Sequence, residues 1–239
     1  MERNLVKKIL GVTLARGGSK GIVNKNIIKL NGLPLIGYTI RESIKSHLID
    51  DYIVSTDSPK ISKISKKLGA QVPFLRPYKL SSSTATSASA LQHAVKFMED
   101  KNDCKYDFIV ETMCTNPLKT YIDIDNCIKK IKKINCNAVI AVNQLFDHHP
   151  SRIKKIVNNR LVNFCIKEKK ESRRQDLKPK AYIRSGSIYV MTRSYLMKQN
   201  RRHGNVGNVP YILPPERAIN IDTKIDMLVA EHMIKSKNK

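Results

Sequence analysis

Acidic residues are scarce in this chain: 20 aspartates and glutamates stand against 44 lysines and arginines, a formal charge of +24 over 239 residues. An excess of that size raises nucleic-acid binding, because clustered cations neutralise phosphates and release counterions. The supporting pattern is missing. The lysines are spread along the chain, pairs such as Lys129-Lys130 and Lys132-Lys133 fall on an expected helix, and few aromatics are interleaved for base stacking. The charge reads as a solvated face that attracts anionic substrates, and no nucleic-acid partner is expected. Cys-x-x-Cys pairs are also absent. Five cysteines, at 104, 114, 127, 136 and 165, are odd in number and argue against both a disulfide framework and a zinc site. No apolar run reaches membrane-spanning length, and Met1-Glu2-Arg3-Asn4 leads into a charged segment with no signal-peptide core. A cytoplasmic protein without a membrane partner is expected.

What is present begins with Leu14-Ala15-Arg16-Gly17-Gly18-Ser19-Lys20-Gly21, closely followed by Asn24-Lys25-Asn26. The run Ile9-Leu10-Gly11-Val12-Thr13-Leu14 reads as a buried strand, and the glycines after it let a ligand approach the backbone without Cβ obstruction. The loop is neither a Walker A motif nor a G-x-G-x-x-G turn. Glycines alone would read as a turn. Arg16, Ser19, Lys20, Lys25 and Asn26 beside them favour an anion-binding concavity with lysines as point charges on phosphate.

Strand-like and helical patterns then alternate: strand 9–15, helix 34–46, strand 52–56, helix 59–68, strand 71–75, helix 86–99, strand 107–112, helix 121–134, strand 138–143. Such a series predicts an α/β fold, Rossmann-like, with a mostly parallel sheet, helices on both faces and ligands at the carboxyl ends of the strands. From about 144 the rhythm changes to short β-like pieces at 152–157, 161–165 and 181–190. That segment, approximately 144–190, reads as a β-rich arm inserted in a single domain spanning 1–239. A last helical pattern covers 223–234 after a turn-rich stretch at 210–217.

The loop signature, together with Val54-Ser55-Thr56-Asp57, Leu75-Arg76-Pro77, Leu80-Ser81-Ser82-Ser83-Thr84-Ala85, Thr115-Asn116-Pro117-Leu118, His148-His149-Pro150, Arg174-Gln175-Asp176-Leu177, Gly186-Ser187-Ile188-Tyr189 and Ile221-Asp222-Thr223, resembles the CMP-sugar synthetases that activate sialic acid and related nonulosonic acids. The resemblance implies transfer of CMP from CTP to the anomeric hydroxyl of an acidic nine-carbon sugar, with release of pyrophosphate. It implies a triphosphate cradle at Ala15, Arg16, Ser19, Lys20, Lys25 and Asn26, and cytosine and ribose contacts at Arg76, Ala85 and Ser87. Arg16, Lys20 and Asp222 become the catalytic candidates. Arg152 and Arg174 become the clamp for the acceptor's carboxylate, with Met113, Thr115, Gln175 and Tyr189 around the sugar. The arm is implied to dimerise the protein and to reach the partner's active site.

Asn220 and Asp222 share one face of an extended segment, where the family usually carries two aspartates for magnesium. Asn220 removes one charge but keeps a carbonyl oxygen that a hard cation accepts. Read without the family, Asp222 is equally well a helix cap. Asp57 fits either a cap or the site. Met113 replaces the family's glutamine, which makes the acceptor pocket more apolar and suits a deoxygenated sugar such as legionaminic acid better than ordinary sialic acid. His148-His149 point to opposite faces if extended and do not make a metal pair. The related Kdo cytidylyltransferases differ in the loop, where Gly18-Ser19-Lys20-Gly21 departs from their Arg-x-x-Ser-x-Arg-Leu-Pro pattern. A basic nucleotide- or nucleic-acid-binding protein without catalysis is the alternative from another class.

Overall fold

The computed structural model describes residues 7–18, 22–167, 173–204 and 207–237. In chain order the elements are β1 (Ile9–Leu14), β2 (Lys29–Leu30), β3 (Leu33–Pro34), α1 (Leu35–Lys45), β4 (Asp51–Ser55), α2 (Pro59–Lys67), α3 (Ser87–Asn102), β5 (Phe108–Thr112), α4 (Tyr121–Lys133), β6 (Ala138–Leu145), β7 (Lys154–Val157), β8 (Arg160–Asn163), β9 (Ala181–Thr192), α5 (Arg193–Gln199), β10 (Val209–Ile212) and α6 (Lys224–Lys237). Six strands form the central sheet in the order β10-β6-β9-β5-β1-β4. All run parallel except β9, which is antiparallel to both neighbours.

Strand alternation divides the core between the two faces. Leu10 and Val12 of β1 pack with Leu91, Val95 and Met98 of α3 and Tyr195 of α5. Ile9 and Val110 pack on the opposite side with Ile124, Cys127, Ile128 and Ile131 of α4. Near β4, Val54 meets Ile36 and Ile40 of α1 and Ile61 of α2. Local chemistry sets the helix starts. Ser58 caps α2 through Ile61 N–H, with Pro59 in its first turn, and Thr120 with Asp123 forms a reciprocal capping box at α4. The five cysteines are free thiols, and among the described residues no helix is long and apolar enough to cross a membrane.

Several sequence expectations need correction. Residues 71–75 do not add a strand: only isolated bridges Ile53–Gln71 and Thr56–Leu75 form, because Pro73 in Gln71-Val72-Pro73-Phe74-Leu75 removes a ladder donor. The stretch 181–190 divides between the arm and the central sheet. Ile188–Thr192 pairs with all of β5, while Ala181, Tyr182, Ile183 and Arg184 pair with the distal half of β6. Between these halves lies an irregularity around Gly186, whose φ of 61° is left-handed. The strand bends there, and a β6–β9 ribbon leaves the sheet carrying the small β7–β8 hairpin. The start of the stretch 210–217, expected as turn, joins Val209 in the edge strand β10, where Pro210 is tolerated. Helix α5 was not expected.

Candidate active site

The carboxyl ends of β1 and β5 open onto a cleft of about 360 Å³. Arg16, Asn26, Arg76, Ala85, Ser87, Met113 and Thr115 all line it, drawn from five separate segments of chain. Asn26 Nδ2 donates to Arg16 O at 3.0 Å, so one arm of the glycine loop is tied to the turn that follows it. Gly17 N–H donates to Asp57 Oδ1 at 3.0 Å. Asp57 also lies 3.9 Å from Arg76, whose Nε donates to Ser81 Oγ at 2.9 Å. Since Ser58 caps α2, Asp57 is free to serve the cleft by holding both its loop and its buried arginine. Burial pulls the Arg76 pKa down, while Asp57 opposes that pull. Arg16 reaches Ser82 O at 3.4 Å. Ala15 is fully buried in the core beneath the loop, its N–H paired with Ser55 O at 3.0 Å, and so can offer only backbone. Ser19 and Lys20 lie outside the described residues.

At the cleft's lip, Lys25 Nζ donates to Asp222 Oδ1 at 2.8 Å and to Ile221 O at 3.0 Å. Ile221 N–H in turn meets Thr115 O at 2.7 Å, which joins this segment to the cleft wall. Asp222 does not cap α6. Thr223 and Asp226 exchange capping contacts instead, Thr223 N–H donating to Asp226 Oδ2 at 2.7 Å and Asp226 N–H to Thr223 Oγ1 at 3.2 Å. Asp222 is thereby left to Lys25 and to Asn220, whose Nδ2 donates to Asp222 Oδ2 at 2.6 Å. Asn220 Oδ1 is buried with no hydrogen-bond partner. That oxygen faces Gly186 while Nδ2 faces Asp222, so the amide has to turn over before Asn220 Oδ1 and the Asp222 carboxylate present hard donors to one magnesium ion. Among the described residues no three of His, Cys, Asp or Glu converge.

Three residues missed by sequence reasoning shape the cleft. Glu111, 1% exposed, lines it and pairs with Arg202. Lys119, also 1% exposed, donates to Met113 O and Asn116 O, each at 2.6 Å, and to Thr39 Oγ1 at 2.7 Å. Its three N–H groups meet three acceptors, which pins the loop bearing Met113 and Thr115. Burial pushes the Lys119 pKa down to about 7, against the pull of Cys114, Glu42 and Asp123. A lysine inside a predicted loop carried no sequence signal of burial. Strand alternation from Met113 back to Glu111 could have found the carboxylate.

The remaining sugar candidates lie elsewhere. Arg174 and Gln175 line a separate cavity of about 490 Å³ on the arm, with Phe146 and His149. Arg174 stacks 5.0 Å above the Phe146 ring and pairs with Asp147 at 3.3 Å. Arg152 ends a one-turn helix beginning at Pro150. His149 is buried, bonded to Ser151 Oγ and Pro179 O at 2.8 Å each, a structural role. Tyr189 does not line the cleft: it is 4% exposed in the core, with Arg202 stacked on its ring.

A family model described as cytidylyltransferase matches residues 10–199. The chain is 32% identical to a post-translational flagellin modification protein B of Campylobacter coli, across 98% of this chain and 97% of that one. It is 30% identical to a pseudaminic acid cytidylyltransferase of Campylobacter jejuni, across 95% and 97%, and 30% identical to a CMP-N,N'-diacetyllegionaminic acid synthase of the same species, across 97% of each. Among solved structures, a CMP:2-keto-3-deoxy-manno-octonic acid synthetase complexed with CTP superposes with a TM-score of 0.70 over 97% of this chain and all of that one. At 14% identity that likeness speaks for the fold alone. The end-to-end kinship and the matched family model place this chain in the cytidylyltransferase family.

Proposed function

We propose that the chain transfers CMP from CTP to the anomeric hydroxyl of a nonulosonic acid. The observation that carries this reading is the convergence of Arg16, Asn26, Arg76, Ala85 and Ser87 on one cleft at the strand ends, with Lys25, Asp222 and Asn220 at its lip. Arg16 and Lys20 stabilise charge on the triphosphate as the sugar oxygen forms a bond to the α-phosphorus and the bond to pyrophosphate breaks; the hydroxyl proton is lost. Arg76, fixed by Asp57 and Ser81, offers donors to the base. Asp222 and Asn220 are the residues that would hold magnesium, which when bound neutralises phosphate oxygens. Lys25 now occupies Asp222 Oδ1 and moves to phosphate when CTP enters.

The acceptor belongs to the legionaminic and pseudaminic class, as the names of relatives near 30% identity and the apolar Met113 wall both support. Arg152 and Arg174 lie on the arm, so they clamp the acceptor's carboxylate across a homodimer rather than within one chain. Phe146, Ile156, Leu161, Phe164 and Ile183 leave that arm apolar and exposed, as a dimer contact requires. CTP as substrate fits a cytoplasmic site of action. The test is pyrophosphate release from CTP against a panel of nonulosonic acids, with UTP and ATP as controls. Release that needs both CTP and one of these sugars is expected; release indifferent to the sugar, or none, contradicts the reading.

A further inference from the structure

The transfer chemistry makes no use of the buried Glu111–Arg202 pair. Glu111 lies in β5, and alternation sets it on the face that Met113 continues; both side chains line the cleft. Glu111 Oε2 accepts a hydrogen bond of 2.5 Å from Arg202, which is its single such partner among the described residues. Arg202 is held 4.7 Å above the ring of Tyr189, and Tyr189 stands directly opposite Glu111 in the β5–β9 register. The guanidinium therefore cannot swing freely, and it fixes one carboxylate oxygen while Oε1 keeps its lone pairs. Burial raises the Glu111 pKa and Arg202 opposes that rise.

An apolar pair of similar volume would build such a wall at equal or lower cost, so charge at this position points to recognition rather than stability. The pair is neutral as a unit and does not repel an acidic ligand. An ionised carboxylate is acceptor-only, so what it recognises is a donor, an N–H or O–H. Two sources could bring one into the cleft: the acceptor sugar and the cytosine amino group. Arg76 and the serine-rich loop form the wall assigned to the nucleotide, whereas Glu111 adjoins Met113. We propose that Glu111, positioned by Arg202, determines acceptor specificity by taking a hydrogen bond from an acylamino N–H or hydroxyl of the sugar, an inference that rests on the proposed function.

The test compares wild type with Glu111→Gln, Glu111→Leu and the double variant Glu111→Leu/Arg202→Met, whose apolar partners leave no buried charge unpaired and whose folding a thermal melt checks. Steady-state kinetics use CTP with acceptor pairs that differ by one acylamino or hydroxyl group replaced by hydrogen. Wild-type turnover with at least one nonulosonic acid comes first, and its absence overturns the proposed function and this contact together. With wild type active, the folded double variant is expected to raise acceptor KM about tenfold, the worth of one buried hydrogen bond to a charged group, while CTP KM stays within about twofold. Glu111→Gln shifts it less, in the same direction. For the one analogue lacking the recognised donor, wild type and variant converge. A folded double variant that treats every acceptor as wild type does would overturn the proposal. So would a change confined to CTP, which would assign Glu111 to the cytosine amino group.

Discussion

Lys119 shows how a single side chain can hold a site together without facing it. Its ammonium meets two carbonyls and a hydroxyl, so Lys119→Met leaves acceptors buried and unpaired, at a cost of about 2–4 kcal/mol. Chemical denaturation measures it. The pH dependence follows from a folded pKa near 7 against an ordinary value of 10.5. Between those values the unfolded chain binds more protons than the native one, so wild-type stability from this group rises with pH. Lys119→Met lacks that component. Its deficit relative to wild type therefore widens from pH 7 to 9, by up to about 1.4 kcal/mol per unit. A pH-independent deficit would show that the ammonium's burial is not penalised. At the lip, Asp222 carries the charge and Asn220 the unsatisfied carbonyl. Asp222→Ala is expected to lower turnover by at least about tenfold, more than Asn220→Ala does. Asn220→Asp should lower the magnesium concentration needed for half activity. Activity that persists in excess chelator would refute the metal assignment.

Among the elements, β9 does the most to relate arm and cleft, and it was the least legible. Its sequence alternates well enough to read as a strand, but nothing local reveals that its second half pairs with both β5 and β6 inside the sheet while its first half pairs with β6 alone. Register is a property of partners, not of the strand alone. The parallel strands β1, β4, β5 and β6 were legible because each is a short apolar run bounded by turn or cap residues. Residues 71–75 misled for the complementary reason: apolar content without donors to continue a ladder. Gly186 marks where β9 bends. A Cβ there would meet Asn220 Oδ1 at 3.2 Å, on a backbone with φ of 61°. Gly186→Ala is expected to destabilise the fold by about 1–2 kcal/mol and to weaken magnesium dependence by displacing Asn220. Unchanged melting and metal response would show that this bend is not coupled to the lip. At the cleft, Arg16, Asn26, Arg76, Ala85, Ser87, Met113 and Thr115 were legible together because their motifs follow the carboxyl ends of apolar runs, which a parallel sheet gathers at one edge. Arg174 was read as part of the arm and lies there, lining a cavity apart from the cleft, so one chain alone does not bring it to the other site residues.

For the whole molecule, the charge of +24 and the exposed arm ask for different partners. The cationic surface draws anionic substrates, and salt should reduce CTP association without abolishing turnover at saturation. The arm asks for a second copy. If Arg174 serves a partner's cleft, Arg174→Ala and Arg16→Ala proteins, each impaired, should regain activity when unfolded together and refolded, on the order of a quarter of wild type if chains pair at random. No recovery in a verified mixed dimer would return Arg174 to a structural role. The most direct test of the account is the product of one reaction: CTP, magnesium and a legionaminic- or pseudaminic-type acid incubated with the wild-type protein, read by mass spectrometry and by pyrophosphate assay. The account predicts a CMP-sugar formed in equal amount to pyrophosphate, lost with Arg76→Ala at limiting CTP; pyrophosphate without CMP-sugar, or neither product with any nonulosonic acid, would contradict it.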